Sequence, residues 1–182
     1  MKKKLVQFIQ NFGHGIEDEE AAEEYIAAAL PLIGMVVMSF NHLEKSLDSM
    51  ICETITDRTD EPGLIILQGM HFSNKVDLFK RLSAPFHKSL GTPPKYDGLI
   101  DKLSEMARLR NLVVHADWRS TDEEGFTYFR IKAVDGGLMQ EYVQLTPESF
   151  DKLIDQMIEA NHHLSDYWIQ RGNLLSYGKN DI

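Results

Sequence analysis

Three residues near the middle of the chain carry side chains that could cleave a phosphodiester bond without a metal. Arg110 and Asn111 are adjacent, His115 follows five residues after the arginine, and Asp117-Trp118 comes after one further residue, Ala116. Arginine is a permanent cation, asparagine is a neutral amide that can orient a neighbour, and histidine titrates near neutral pH. Together these residues could provide charge stabilisation, positioning and proton transfer.

The spacing of the three residues limits how their side chains can meet. On a helix, Asn111 and His115 are four residues apart and share a face. Arg110 and His115 are separated by about 140° around an ideal helix and by about 7.5 Å along it. They cannot both point at one phosphate from a regular helix. Either the helix unwinds near His115, or a second copy of the chain completes the site across a two-fold axis.

Apolar residues that recur at three- and four-residue steps predict four long helices around this motif. The helix that carries the motif is predicted from about Lys95 to Ala116. The other three are predicted from the acidic run Glu17–Glu24 to about Thr56, from Ser73-Asn74 to about Ser89, and from Thr146 to Trp168, ending at Gly172. Pro31 is expected to kink the first of these or to divide it, and Pro85 to bend or end the second.

The period changes to two between the last two long helices. Residues 126–134 and 139–145 alternate between apolar and polar, and Asp135-Gly136-Gly137 has turn chemistry, which predicts a β-hairpin. The predicted fold is therefore mainly α: an antiparallel four-helix bundle with a β-hairpin inserted before the last long helix. We expect a single domain over residues 1–182, with a tail or short helix at 1–18, the hairpin insertion at 120–146 and a mobile tail at 172–182.

Composition excludes some classes of site. Cys52 is the only cysteine, so an internal disulfide and a cysteine-based zinc site cannot form, which fits the cytoplasm. The most apolar stretch, Ala27–Phe40, contains Pro31 and Gly34 and is too short to span a bilayer, so no membrane association is expected.

The net charge of −9 argues against a general nucleic-acid binder, but the charge is unevenly distributed. Residues 1–70 carry −7, residues 71–119 carry +4 and residues 120–182 carry −6, so the motif lies in the only positive third. Two explanations remain open. The cations decorate solvated helix faces, or they form a local positive patch on an acidic body.

A helical bundle whose third long helix ends in Arg110-Asn111-x-x-x-His115 resembles the HEPN superfamily (higher eukaryotes and prokaryotes nucleotide-binding domains). The segments Phe40-Asn41-His42-Leu43-Glu44 and Val113-Val114-His115-Ala116-Asp117-Trp118 are similar to what many bacterial members show. The resemblance covers residues 20–118 and 147–170.

The resemblance implies a metal-independent endoribonuclease of the toxin or phage-defence type, acting as a homodimer on RNA without a cofactor. By the same resemblance, Arg110 and His115 form the catalytic pair and Asn111 is the polar residue beside the arginine. We expect substrate binding from four further residues: Arg108, Arg119, Trp118 and Glu44.

Structural roles and other functions compete with this reading. His115 could simply be favoured by the helix C-terminus, Arg110 could clamp Glu44 or Asp117, and Trp118 could serve packing. A non-catalytic dimeric module that binds a nucleotide or a protein is the main alternative function. A regulator that pairs with a nucleotidyltransferase antitoxin is a third.

Overall fold

The computed structural model describes residues 1–9, 15–56 and 58–178, with side chains described up to Ser176. Its secondary structure is mainly helical, with a small four-stranded antiparallel sheet. In chain order the elements are β1 (Lys3–Gln7), α1 (Glu19–Ile55), α2 (Glu61–Leu67), α3 (Phe72–Leu90), a 3₁₀ turn (Pro94–Tyr96), α4 (Leu99–His115), β2 (Asp117–Thr121), β3 (Phe126–Val134), β4 (Gly137–Gln144) and α5 (Pro147–Gly178).

The four long helices predicted from the apolar period are present as α1, α3, α4 and α5. The apolar residues that recur at three- and four-residue steps are mostly buried: Val36, Phe40, Leu43, Leu47, Met50 and Ile51 in α1, Val76 and Phe79 in α3, Leu99, Leu103, Met106, Leu109 and Val113 in α4, and Phe150, Leu153, Ile154, Met157 and Leu164 in α5. Ile158 follows the same spacing in α5 but is an exception, since its side chain is 45 % exposed.

The chain divides into two compact units. Residues 1–38 and 109–155 form the first, which we call the sheet unit, and residues 39–108 and 156–182 form the second, the helical unit. The boundaries fall inside α1, α4 and α5, so each of these helices contributes to both units.

The sheet unit contains all four described strands, in the spatial order β1-β4-β3-β2 and antiparallel throughout. The predicted hairpin is confirmed as β3 and β4, joined at Asp135-Gly136. Gly136 has a φ of 103° and Gly137 a φ of 137°, values that side chains with a Cβ rarely adopt, so the two glycines permit this tight turn. The Tyr25 hydroxyl donates to the Leu145 carbonyl at 3.0 Å and ties α1 to the end of β4.

The helical unit is built around large apolar side chains from its own helices. The rings of Phe40 and Phe72 lie 4.7 Å apart, and those of Phe79 and Tyr167 lie 5.6 Å apart in an edge-on contact. Gly63 of α2 faces Cys52 so closely that a Cβ there would lie 2.5 Å from the cysteine sulfur. This close approach explains why α2 carries a buried glycine.

The predictions for the two chain ends are wrong in part. Residues 3–7 are neither tail nor helix but β1, because the edge of β4 offers unpaired backbone groups to an extended segment. At the other end, α5 continues through Gly172 to Gly178, since one glycine costs a helix only about 1 kcal/mol. Residues 179–182 lie outside the described residues.

The predictions for the two prolines and for the start of the motif helix also need correction. α1 is a single helix with Pro31 inside it, so Pro31 is not a boundary, and α3 likewise continues past Pro85. The motif helix begins at Leu99 rather than Lys95, because Gly98, with a φ of 66°, separates it from the preceding turn. The short helix α2, which residues 61–63 open, is present in addition to the four long helices predicted.

One described helix, α1, has the length and composition to cross a membrane. Its most apolar 18-residue window has a mean hydropathy of 1.7 and is 22 % buried. The whole of α1 is longer than the apolar stretch 27–40, which by itself is too short to span a bilayer. Core helices of soluble proteins pass the same test, so the finding is weak evidence for a membrane.

Candidate functional site

The motif lies in the last two turns of α4, which buried apolar residues hold in place. Leu109, Leu112 and Val113 are each at most 3 % exposed, and they alternate with the motif residues around the helix. The indole nitrogen of Trp118 donates to the Val113 carbonyl at 3.1 Å, which satisfies one backbone acceptor that the helix end leaves open. The motif is thus anchored on one side, while Asn111 and His115 are exposed and Arg110 is half-buried.

Arg110 and Asn111 touch each other. The Arg110 Nη1 atom donates to the Asn111 Oδ1 atom at 2.9 Å, with Asn111 exposed and Arg110 half-buried. The amide oxygen therefore orients the guanidinium, and the amide nitrogen remains the group that Asn111 could offer to a ligand. The sequence had placed Asn111 and His115 on a shared helix face, whereas the described side-chain hydrogen bond of Asn111 is with Arg110.

His115 is the last residue of α4 and is exposed. The helix stays regular through this residue, so it does not unwind within the motif. The about 140° separation between Arg110 and His115 in a regular helix therefore applies. Of the two alternatives left by the sequence, unwinding of the helix within the motif is therefore excluded, and completion of the site by a second copy stays a prediction.

The residues after His115 form a tight turn into β2. Both carboxylate oxygens of Asp117 are used locally: one accepts from the Arg119 backbone nitrogen at 3.2 Å and the other from the Ser120 hydroxyl at 2.8 Å. The Trp118 ring is half-buried and stacks on Phe150, with 5.8 Å between ring centroids. Trp118 therefore has a packing role in the sheet unit. The Arg119 side chain is exposed.

Arg108 and Glu44 belong to the helical unit, where both form ion pairs. Arg108 makes a two-pronged contact with Glu105, each bond 2.6 Å long. Glu44 accepts a hydrogen bond from the Lys75 ammonium at 2.8 Å. Glu44 is thus a salt-bridged residue in this structure, and its described ion-pair partner is Lys75.

Lys75 was missed by sequence reasoning. Its ammonium lies 2.8 Å from Glu44 Oε1 and 2.8 Å from Asp48 Oδ2, and its side chain is only 9 % exposed. Burial acts to lower the pKa of Lys75, but the hydrogen bonds to Asp48 and Glu44 outweigh it, so the pKa is raised. Burial in turn raises the pKa of Asp48, whose Oδ1 atom is buried without a described hydrogen-bond partner. The four-residue spacing of Glu44 and Asp48 was the signal that could have suggested a shared cation.

A second polar network in the helical unit was also missed. The buried Tyr167 hydroxyl donates to the Ser83 hydroxyl at 3.2 Å and lies 3.1 Å from His87 Nε2. Burial, assisted by the charge of Arg171, lowers the pKa of His87, and burial raises the pKa of Tyr167. With Tyr96 packed against both rings, the network joins α3, the 3₁₀ turn and α5. Ser83 is buried, so its hydroxyl is a structural group rather than an accessible nucleophile.

Among the described residues, no three histidine, cysteine, aspartate or glutamate side chains group in a way that could hold a metal ion. Comparison of the chain with known protein families, curated proteins and solved structures finds no match.

Proposed function

We propose that this protein is a metal-independent endoribonuclease of the HEPN type, with an active site completed by two copies of the chain. The observation that carries the proposal is the motif on α4: a guanidinium oriented by an amide, with an exposed imidazole at the end of the same regular helix. The four long helices α1, α3, α4 and α5 match the number that an antiparallel HEPN-like bundle needs.

The reaction needs few groups because RNA brings its own nucleophile. His115 takes the proton from the 2′-hydroxyl, whose oxygen attacks the adjacent phosphorus, and the bond to the 5′-oxygen of the next nucleotide breaks as that oxygen takes a proton from water. Arg110 stabilises the charge that develops on the non-bridging oxygens. The products are a 2′,3′-cyclic phosphate and a 5′-hydroxyl. General acid–base catalysis by the histidine accounts for about 10²–10⁴ of the rate.

An exposed apolar surface on α1 supports pairing of two copies. Leu30 is 60 % exposed, Met35 49 % and Met38 73 %. These side chains lie in the sheet unit, which also holds Arg110 and His115. Large exposed apolar side chains grouped on one helix can mark an interaction site. A two-fold axis that buries the α1 surface would repeat the motif helix in the partner copy.

Cleavage of labelled RNA in EDTA tests the proposal. Arg110→Ala and His115→Ala are expected to lower the rate at least a hundredfold, and a 2′,3′-cyclic phosphate is expected as the product. Matched controls are Arg81→Ala and His162→Ala, which remove the same side chains from exposed helical positions elsewhere. Wild-type rates in the two motif variants would exclude the motif from the mechanism.

Mixing the two inactive variants tests whether the site is shared. If each site takes its arginine from one copy and its histidine from the other, a mixed dimer of Arg110→Ala and His115→Ala has one intact site. Random exchange of the two variants should then restore about a quarter of wild-type activity. No recovery, with exchange verified by mass, would contradict an active site that takes one group from each copy.

The net charge of −9 favours a second candidate, a non-catalytic dimeric module that binds a nucleotide or a protein. In this case wild-type protein would form a dimer and leave all RNA intact. Pairing with a nucleotidyltransferase antitoxin would be indicated by copurification of the two proteins.

A further inference from the structure

The small sheet has a charge opposite to that of the chain as a whole. Its four strands carry five cationic and two anionic side chains, a net charge of +3, whereas the complete chain carries −9. A basic surface on an acidic protein is informative because attraction of a polyanion depends on local clustering of cations.

Strand register places three of the cations on one side of the sheet. Arg130 and Lys132 are two residues apart on β3, so they project from the same face at a spacing of about 7 Å. Arg130 lies opposite Glu141 of β4, and Lys3 of β1 reaches the same carboxylate from the next strand. We call Lys3, Arg130 and Lys132 the basic sheet face.

A buried carboxylate holds this face together. Glu141 has a side-chain exposure of only 4 %, while its partners Lys3 and Arg130 are 49 % and 55 % exposed. Lys3 donates to one carboxylate oxygen at 3.1 Å and Arg130 donates to the other at 2.8 Å. Burial acts to raise the pKa of Glu141, but the hydrogen bonds from Arg130 and Lys3 outweigh it, so the carboxylate stays ionised.

Arg130 is well oriented to meet an anion. Its Nε atom binds Glu141, and its guanidinium lies over the Phe129 ring, with the central carbon 5.1 Å from the ring centroid. The terminal nitrogens, which form the fork that recognises phosphate, are not the atoms bound to Glu141. Half-buried Phe129 adds an aromatic surface beside the cation, a combination typical of sites for single-stranded nucleic acid.

The basic sheet face is close to the motif along the chain and within the same unit. β2 begins two residues after His115, and its first residue, Asp117, pairs with Tyr128 of β3. Because the two strands are antiparallel, Arg130 and Lys132 extend along β3 past the start of β2, on the side where α4 joins it.

We propose that the basic sheet face binds the phosphate backbone of a single-stranded RNA and feeds it toward the motif on α4. The choice of RNA rests on the proposed function, and the choice of a polyanionic strand rests on charge complementarity. Lys132 and Arg130 contact successive phosphates, and Lys3 extends the track across β4 to the sheet edge.

Binding of a fluorescent 12-nucleotide RNA with 2′-O-methyl groups tests this independently of catalysis, since that RNA has no 2′-hydroxyl nucleophile. The double substitution Arg130→Gln and Lys132→Gln is expected to weaken binding roughly tenfold and to reduce the slope of log K against log salt by about 1.4, or about 0.7 for each lost contact. The matched control is Lys45→Gln with Lys88→Gln, which removes two charges from exposed helical positions. It should change binding less than twofold.

Lys132→Gln alone keeps the Glu141 contacts and serves if the double variant unfolds; it should reduce the slope by about 0.7. Equal losses in the two double variants, an unchanged salt slope, or absence of wild-type binding would overturn the proposal. So would binding of phosphatidylserine vesicles or a polyglutamate peptide in preference to the oligonucleotide.

The two proposals fail separately. Binding that depends on Arg130 and Lys132, with no cleavage of unmodified RNA, would retain the basic sheet face and reject the nuclease. Cleavage that depends on Arg110 and His115, with full RNA binding by the double glutamine variant, would do the reverse.

Discussion

Replacing Lys75 by methionine isolates the buried ionic network of the helical unit. The substitution keeps much of the side-chain length and removes a charge that lies 2.8 Å from each of two carboxylates. Breaking a buried ion pair costs about 3–5 kcal/mol. The side chains of Glu44 and Asp48 are 28 % and 23 % exposed, so hydration of the two carboxylates offsets part of this cost. We expect the free energy of unfolding to fall by about 2–4 kcal/mol at pH 7.

The loss should appear in urea and thermal unfolding, with the melting temperature falling by about 10 °C for a chain of this size. The raised pKa of Lys75 means that its stabilising charge is fully present below about 10.5 and is lost only as the pH rises through the folded-state value. At neutral pH the wild-type network is therefore intact. The matched control is Lys80→Met, which replaces an exposed lysine on the same helix. It should change the free energy of unfolding by less than about 0.5 kcal/mol in either direction.

At acidic pH the difference in the free energy of unfolding between Lys75→Met and wild type should become smaller. The variant leaves the carboxylates of Glu44 and Asp48 four residues apart on one helix face, and protonation of Asp48, whose pKa is raised by burial, relieves their repulsion. The double variant Glu44→Gln with Lys75→Met should accordingly be more stable than Lys75→Met alone. A loss under about 1 kcal/mol, or a loss that is the same at pH 4 and pH 7, would refute the reasoning from burial and charge.

Three further outcomes are expected. Gly63→Ala should destabilise the fold by about 1–3 kcal/mol because its new Cβ would lie 2.5 Å from the Cys52 sulfur; Gly34→Ala, a helical site with open space, should be neutral or stabilising, and urea unfolding compares the two. The lowered pKa of Glu141 means that its contribution is present above about 4.5 and lost as the pH falls through the folded-state value, so Glu141→Gln should be less stable than wild type at pH 7 and similar near pH 3; a pH-independent gap in urea titrations would contradict this. Trp118→Phe should cost about 0.5–1.5 kcal/mol by removing the bond to the end of α4, measured by thermal unfolding; an unchanged melting temperature would show that the bond does not stabilise the helix.

The sequence predicted the features that depend on neighbouring residues. The apolar stripe through Phe40, Leu43 and Leu47 repeats with the helix period, so burial follows from local spacing. The hairpin was predictable for the same reason, because Asp135-Gly136 joins two adjacent strands.

Features that join distant parts of the chain were not predictable. Lys3 pairs with Val143 across the sheet, and nothing near Lys3 indicates that partner. Lys75 binds Glu44 over a separation of 31 residues, so the ionic network around Lys75 forms only once α1 and α3 are packed. Within the candidate site, the contact between Arg110 and Asn111 was not predicted either, because adjacent residues on a helix point in different directions and only their side-chain conformations bring the two groups together.

Because the chain divides into two units, we expect substitutions in one unit to affect mainly stability and substitutions in the other to affect mainly cleavage or binding. The helical unit contains the Lys75 network, whose buried charges affect stability. The sheet unit contains His115, Arg130 and the exposed apolar surface of α1, which are the parts that the proposed chemistry, RNA binding and pairing require. Charged groups that stay exposed in a folded unit contribute little to its stability. Substitutions at His115 or Lys132, both exposed, should therefore alter cleavage or binding more than unfolding, whereas Lys75→Met should do the opposite. Loss of both properties in every variant would mean that the two units do not separate stability from function.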